Sequence, residues 1–336
     1  MLNHAWMVTG DIHHLESIIA TARLQKRSVL IRTPKKKGGL IHPHGYRLES
    51  GAAKRLIYDC RNTTRLPGFK GRFEGDKAFS EAKVNMAYEE LGAVRDFLWQ
   101  TVGLNSLDGN GADLIGCVRY SVNYNNAYYD DVEMVFGDGD GVIFVLFIDP
   151  VIAGHELYHG VTAKGSGLQY YKQSGCLNES NSDAAGITNK QYKLKLRAAD
   201  DNWLIGDKSF GPTIKGRALR DMLHPGTAYD DPKIGKDRQP DHMSKFVETF
   251  EDNGGVHTNS GIPNKAFATF AMLIGGYTWE AAFPVWHFTN TGKLKVDSDC
   301  EIQGWADRTA VVCSQMFPQH TDKLVKAWDV VGITVK

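Results

Sequence analysis

The sequence of 336 residues has no long apolar run, and none approaches the roughly 18 apolar residues of a transmembrane helix. Its first residues also lack the basic-then-apolar pattern of a signal peptide, because Asp11, His13, His14 and Glu16 interrupt it. Neither sign of charge is in excess, since Lys+Arg and Asp+Glu are 39 each. We therefore expect no nucleic-acid or membrane partner, synthesis in the cytoplasm, and export only by a route that needs no signal peptide.

Cysteine is also scarce. The five cysteines are scattered along the chain and form no CxxC pair, which excludes the common short cysteine-metal motifs. Their odd number and spacing indicate reduced side chains that serve as small apolar residues. Glycine, by contrast, is abundant at 35 residues, which suits a lobe with many tight turns.

One motif carries most of the chemical information. His155 and His159 are separated by four residues, so on a helix they share one face and can bind a single zinc ion. Glu156 lies about 100° round that helix and can reach a water molecule on the metal. Glu179 completes a set of two histidines and one glutamate, with Asp183 one turn further, and leaves a fourth position open for water. The spacing predicts a zinc hydrolase with one zinc per chain.

The hydrophobic pattern predicts an α+β fold with two lobes and the zinc site in the cleft between them. A β-rich N-terminal lobe, residues 53–165, includes the motif helix, which Asp149 caps and Pro150 begins. A helical C-terminal lobe covers residues 166–336. Strands are predicted at residues 56–59, 118–122, 132–136 and 144–148, and helices at 80–102, 178–197, 241–249, 259–274, 279–291, 304–317 and 319–330.

Several segments together resemble the thermolysin family of zinc endopeptidases. The longest are residues 155–162, 174–183 and 252–264, and shorter matches lie at residues 133–141, 218–220, 225–232 and 235–237. The likeness covers roughly residues 55–336 in family order. The short N-terminal extension and residues 105–108 look most like the protealysin branch of that family. The resemblance implies a thermolysin-like two-lobed metalloprotease that hydrolyses peptide bonds in protein or peptide substrates.

The resemblance also implies a role for individual catalytic residues. It makes His155, His159 and Glu179 the zinc ligands and Glu156 the general base, and Asp183 accepts the distal N–H of His155. It further assigns His257 as the histidine that stabilises the transition state and Asp252 as its orienting carboxylate. Tyr170 corresponds to a tyrosine that also faces the developing oxyanion.

Other matched positions imply contacts with the substrate. Asn126 and Ala127 resemble the segment that binds the substrate backbone, and Arg220 resembles an arginine that holds a substrate carbonyl. An apolar pocket on the amine side of the cut would favour Leu, Phe, Ile or Val there. The residues implied as its lining are Phe144, Ile152, Ile205 and Leu219.

The chain departs from the family pattern at several positions. Lys190, Asn202 and Leu204 fall where the resemblance places calcium-coordinating acids. Calcium takes six to eight oxygen ligands, so we expect no double calcium site here. Tyr158 replaces a small threonine inside the motif, which predicts a local change of packing.

Residues 1–52 are predicted to be a propeptide. About 50 residues with one short apolar pattern cannot bury much core, so the segment must dock on the rest of the chain or stay disordered. The resembling branch carries a short cleavable propeptide of about this length. We therefore expect an inhibitory segment that docks in the cleft, with His13-His14-Leu15 near the zinc and the apolar pocket, and that the enzyme removes itself. A solvated helix N-terminus is the alternative interpretation of those histidines.

Three other functions stay open at this point. A zinc aminopeptidase shares the two-histidine motif, but it requires an acidic motif for the substrate N-terminus, which this sequence lacks. A catalytically inactive zinc-binding protein could act through binding alone. A chain held permanently latent by residues 1–52 is the third alternative.

Overall fold

A five-stranded mixed sheet forms the first part of the chain in the computed structural model, which describes residues 53–336. Its strands are Arg55–Asp59 (β1), Phe69–Phe73 (β2), Leu114–Val118 (β3), Ala127–Tyr129 (β4) and Met134–Phe136 (β5). The spatial order is β2-β1-β3-β5-β4; β1, β3 and β5 run parallel, and the edge strands β2 and β4 pair antiparallel. Because β4 lies at an edge, one side of it has no neighbouring strand among residues 53–336.

Helix α1, Ala82–Val102, packs against β1 and β3. Its buried residues include Ala87, Leu91 and Leu98, whose spacing of three to four residues, or multiples of it, forms a single apolar stripe. The helix ends at Gly103, which takes a left-handed conformation (φ 68°) and donates its N–H to the last turn.

Helix α2, Pro150–Lys164, runs through the middle of the molecule and carries the zinc motif. The side chain of Asp149 accepts two backbone N–H groups of the first turn at 2.8 Å, as the sequence predicts. On one side α2 packs against helix α3, Lys172–Leu194. The two helices approach closely where Gly154 faces Gly186: a Cβ on Gly154 would lie 2.9 Å from the Gly186 Cα.

The second part of the chain is mainly helical, and its apolar core is continuous with that of the first part. Two short two-stranded antiparallel sheets and five α-helices follow α3. They are Leu204–Ile205 (β6), Arg220–Asp221 (β7), Asp230–Asp231 (β8), Gly235–Lys236 (β9), Asp252–Asn259 (α4), Gly261–Ile274 (α5), Ala282–Thr291 (α6), Ile302–Met316 (α7) and Thr321–Val330 (α8).

The α+β architecture with a β-rich first part and a helical second part is confirmed, but three predicted elements are wrong. The strand predicted at residues 118–122 lies at β3 instead, because Arg119 and Ser121 have positive φ angles of 54° and 57° that end the extended chain. Residues 144–148 form only an isolated bridge at Phe144. The helix predicted at residues 241–249 is reduced to the short 3-10 turn Met243–Lys245. Beyond that turn, the side chain of Asn259 holds the segment by hydrogen bonds to both backbone groups of Val247 (2.9 Å each).

Candidate active site

The structure brings together the three predicted metal ligands. The Nε2 atoms of His155 and His159 on α2 are 3.1 Å apart. The carboxylate of Glu179 on α3 lies 3.5 Å from the first and 3.6 Å from the second. Among residues 53–336 these three residues form the group whose donor atoms could hold a metal, all within 4.8 Å of one another.

Neighbouring side chains fix which ring nitrogen of each histidine carries a hydrogen. The Nδ1 of His155 is 2.8 Å from a carboxylate oxygen of Asp183, and a carboxylate only accepts. The Nδ1 of His159 is 2.8 Å from the amide oxygen of Asn178. Each Nδ1 therefore donates, which leaves the lone pairs of both Nε2 atoms directed toward the same space.

These donors fit a divalent cation. Glu179 is buried, and its Oε2 has no hydrogen-bond partner in the described part of the chain. Burial raises its pKa, but the nearby His257, His155 and His159 outweigh burial and hold the pKa of Glu179 well below its usual range. An ionised buried carboxylate needs a compensating charge. Two imidazole nitrogens and one carboxylate, with a further position free, are a ligand set of catalytic zinc.

Glu156 lies next to the ligands on α2 and is only 2% exposed. Burial raises the pKa of its carboxyl group to about 7, with a further contribution from Glu179 that His155 opposes. No hydrogen bond within the described residues engages this carboxyl group. It is therefore available to exchange a proton near neutral pH, which is the property a general base requires.

On the other side of Glu179 stand Tyr170 and His257. The hydroxyl of Tyr170 donates to Glu179 Oε1 and lies 3.1 Å from His257 Nε2. Asp252 accepts both the ring Nδ1–H and the backbone N–H of His257, at 2.6 and 2.8 Å. This double contact is possible because the chain between Asp252 and His257 turns through residues 253–255, all with positive φ.

Besides His155, Asp183 has two further partners that were not predicted from the sequence. Its carboxylate accepts hydrogen bonds from Nε (2.7 Å) and Nη2 (2.5 Å) of Arg220, and from the side-chain amide of Asn264 (2.8 Å). Burial acts to raise the pKa of Asp183, but Arg220 and then His155 hold it at about 2. The position of Asn264 inside the matched segment 252–264 was the available signal, but it did not indicate which group the amide contacts.

The residues predicted to bind substrate separate into two groups. Phe144, Leu219 and Arg220 line a cavity together with Asp252 and His257. Four others do not line this cavity: Ile152 and Ile205 are buried in the apolar core, and Asn126 and Ala127 lie at the edge strand β4. Further residues line the cavity but were not predicted, because most of them come from segments without a periodic pattern: Phe210, Tyr229, Ile234, Asp237, Arg238, Gln239, Val247, Thr249, Glu251 and Thr258.

The fold and the site define the class of metallohydrolases that bind a metal through two histidines of one helix and a glutamate of the next. Comparison with protein families narrows this class. The family model of the thermolysin metallopeptidase catalytic domain matches residues 29–163, and that of the thermolysin metallopeptidase alpha-helical domain matches residues 166–333. The first match begins inside the segment 1–52, upstream of the boundary that the sequence analysis placed.

Individual relatives agree with the family models. An extracellular metalloprotease of Pectobacterium carotovorum is 44% identical over 298 residues, which cover 88% of this chain and 85% of the relative. An extracellular minor metalloprotease of Serratia marcescens is 36% identical, covering 82% of this chain and 71% of the relative. The solved structure of the precursor of protealysin, a metalloproteinase from Serratia proteamaculans, superposes with a TM-score of 0.83 at 44% identity, covering 87% and 91% of the two chains.

The chain belongs to the thermolysin family of metallopeptidases, and its similarity to the protealysin precursor confirms the protealysin-like assignment. It is a metalloendopeptidase that acts on peptide substrates, and the family implies zinc at the His155, His159 and Glu179 cluster. Across residues 53–336, no helix combines the length and the apolar character needed to cross a membrane.

Proposed function

We propose that this chain cleaves peptide bonds with a water molecule that Glu156 deprotonates. The observation that carries the proposal is the convergence of the His155 and His159 lone pairs beside the buried Glu156. His155, His159 and Glu179 would hold a zinc ion, which would supply Lewis-acid polarisation of the scissile carbonyl and would lower the pKa of a bound water toward about 7. Glu156 accepts the proton of the attacking water and delivers it to the leaving amine.

Two further side chains stabilise the charge that develops on the carbonyl oxygen. His257 Nε2 and Tyr170 OH are 3.1 Å apart, and both face Glu179 Oε1. Both groups can therefore contact the same carbonyl oxygen of the substrate. Asp252 holds the ring of His257 in this orientation. Loss of one such donor typically costs about 100- to 1000-fold in kcat.

Substitution of Glu156 by Gln tests this mechanism. Glu156→Gln keeps the shape of the side chain but removes the base, so zinc content should stay at one per chain while casein hydrolysis collapses. Glu301→Gln makes the same chemical change at an exposed position before α7 and serves as the matched control. Wild-type turnover by Glu156→Gln would refute the mechanism. An inactive wild type that still binds zinc would support the alternative of a protein acting through binding.

We also propose a preference for apolar residues on the amine side of the cut. The apolar side chains of Phe144, Leu219 and Ile234 line the cavity next to His257 and support this preference. Peptides that differ only in the residue after the scissile bond measure it: kcat/KM should be highest for Leu or Phe and lowest for Asp. Equal values would contradict the proposal.

For residues 1–52 we propose a self-removed inhibitory propeptide that occupies the cleft. These residues lie outside the described part of the chain, so the support comes from the sequence and from the similarity to the precursor of protealysin. Wild-type protein should lose roughly its first 50 residues on storage and gain activity, whereas Glu156→Gln should remain full length. The segment is excluded as an inhibitor if a chain starting near Gly51 is no more active than an uncleaved one.

Synthesis in the cytoplasm and later export remain part of the proposal, and related proteins are named extracellular.

Calcium is not expected at the double site of thermolysin. The Nζ of Lys190 lies 2.7 Å from Asp201 Oδ1 and 2.7 Å from Asn202 Oδ1. An ammonium group at this position already supplies positive charge to the oxygens that a calcium ion would need. This contact supports the proposal that folding does not depend on calcium.

A further inference from the structure

One cationic side chain of the cleft, Arg238, has no partner in the described part of the chain. Arg238 lines the cavity with Asp252 and His257, and it is exposed to solvent. Within residues 53–336, no carboxylate lies within 4 Å of its guanidinium group and no hydrogen bond engages it. A guanidinium presents several N–H donors in a plane that matches a carboxylate.

The other arginine of the cavity differs in this respect. Arg220 is only 4% exposed, and two of its nitrogens are engaged by the carboxylate of Asp183. Its charge is therefore largely compensated within the protein. Arg238 is the cavity arginine whose full charge is available to a bound molecule.

The backbone that carries Arg238 is anchored to helix α4 at His257. The carboxylate of Asp237 accepts the backbone N–H groups of Gly226, Ala228 and Gln239, at 3.0 to 3.1 Å. The side-chain amide of Gln239 donates to the backbone oxygen of His257 at 2.7 Å. These bonds fix the backbone from which the Arg238 side chain extends, relative to His257.

The cavity itself indicates where a negative charge would bind. Phe144, Leu219 and Ile234 are buried and apolar, so a carboxylate is excluded from the interior of the pocket. The exposed Arg238 lies at the mouth. A substrate residue that contacts it is therefore a neighbour of the residue that fills the pocket, and it stays partly solvated.

A second unpaired charge restricts the position further. Glu251 also lines the cavity and is exposed, and it forms no ion pair with Arg238. Considering residues 53–336 alone, the mouth therefore carries a positive and a negative group that are unpaired and lie at separate places. A substrate carboxylate is attracted near Arg238 and repelled near Glu251. Its effect on cleavage must therefore depend on which residue of the peptide carries it.

We propose that Arg238 makes this protease favour a carboxylate on the residue that follows the apolar one on the amine side of the cut. The proposal rests on the proposed apolar pocket preference. Such a contact between solvated charges is worth about two- to fivefold in kcat/KM, and it weakens as salt screens it.

Four peptides with Leu after the scissile bond test the proposal. The next residue is Asp, Asn, Lys or Ala, and all peptides are amidated and extend two residues further, so that none has a terminal carboxylate nearby. The wild type should cleave the Asp peptide about two- to fivefold faster than the Asn peptide at low salt, and the ratio should approach one at high salt. A separate, shorter peptide that ends after the Ala residue, in free-acid and amidated forms, tells whether a terminal carboxylate serves equally well.

Variants assign the effect to Arg238. Arg238→Gln should bring the ratio of the Asp to the Asn peptide to one, and Arg238→Lys should retain part of the wild-type ratio. The wild type and both variants should cleave the Ala peptide. Lys236→Gln removes the same charge two residues away, at an exposed side chain that does not line the cavity, and should keep the wild-type ratio.

The outcomes separate this proposal from the one on which it rests. A wild-type ratio of one, or an unchanged ratio in Arg238→Gln, overturns the role of Arg238 alone. A different result overturns the pocket preference instead: the Ala peptide, which has Leu directly after the scissile bond, is not cleaved, whereas a peptide with Asp directly after that bond is cleaved.

Discussion

Replacement of Asp183 by Asn should weaken both zinc binding and folding, because one carboxylate serves both. In the structure its two oxygens accept from His155 Nδ1, from two nitrogens of Arg220 and from the amide of Asn264. An asparagine has the same shape but only one accepting oxygen, and its NH2 group would face a donor. At least one of the four hydrogen bonds is lost, and the guanidinium of Arg220 loses its counter-charge.

The size of each effect follows from the burial of these groups. Asp183 and Arg220 have side chains 0% and 4% exposed, and breaking a buried ion pair by removing one partner costs about 3–5 kcal/mol. This is a large part of the roughly 5–15 kcal/mol by which a native protein is stable. For a chain of this size the melting temperature should fall by roughly 6–20 °C. Loss of the group that orients a ligating histidine should lower zinc affinity about 10- to 100-fold.

Two measurements on the same proteins separate these effects. Zinc affinity is measured by competition with a chelator under native conditions, and the free energy of unfolding by denaturant titration of the metal-free protein. Arg220→Met removes the cation but leaves the contact between Asp183 and His155, so it should destabilise the protein while zinc affinity changes much less.

The double variant Asp183→Asn/Arg220→Met removes both charges and should cost less than the sum of the single changes. Additive losses within about 0.5 kcal/mol would show that the pair is not coupled. Wild-type zinc affinity in Asp183→Asn would refute the role assigned to the contact with His155.

Three further predictions concern the metals and a buried histidine. Glu179→Ala should contain much less zinc than the wild type by metal analysis, and equal content would remove Glu179 from the ligand set. A calcium-specific chelator that spares zinc should leave the melting temperature unchanged, because Lys190 already contacts Asp201 and Asn202; a large drop reversed by calcium alone would reveal a missed site. Burial lowers the pKa of His287 to about 3, so the unfolded chain takes up a proton first and stability falls as pH drops below 6.5, by about 2 kcal/mol at pH 5. His287→Gln should unfold with a correspondingly smaller loss between pH 7 and 5, and an identical loss would show that His287 does not titrate in this range.

The zinc cluster could be predicted from the sequence because its geometry is almost local. His155 and His159 lie on one helical turn, and the cap at Asp149 and Pro150 fixes where that helix begins. Glu179 needs only a second helix packed against the first. The close approach of Gly154 and Gly186 shows how the two helices meet. Spacing along two helices therefore carried the information.

The ion pair of Asp183 with Arg220 could not be predicted in this way. Arg220 is 37 residues further along the chain, on the two-residue strand β7, whose position depends on the folded second part. Nothing in the periodicity of so short a strand indicates which side chain it presents to α3. The sequence resemblance placed Arg220 near the substrate. It gave no reason to connect Arg220 with Asp183, the hydrogen-bond partner of His155.

The contacts of Tyr158 could not be predicted from the sequence either. At this position the chain departs from the family pattern. A large side chain in place of threonine predicted a local change of packing. In the structure Tyr158 is 1% exposed, and its hydroxyl donates to Nδ1 of His287, 129 residues away on α6. The Nε2 of His287 in turn donates to the hydroxyl of Thr291 at 3.1 Å. The larger residue is accommodated because a buried acceptor on a distant helix satisfies its hydroxyl, and only the packed helices bring these two positions together.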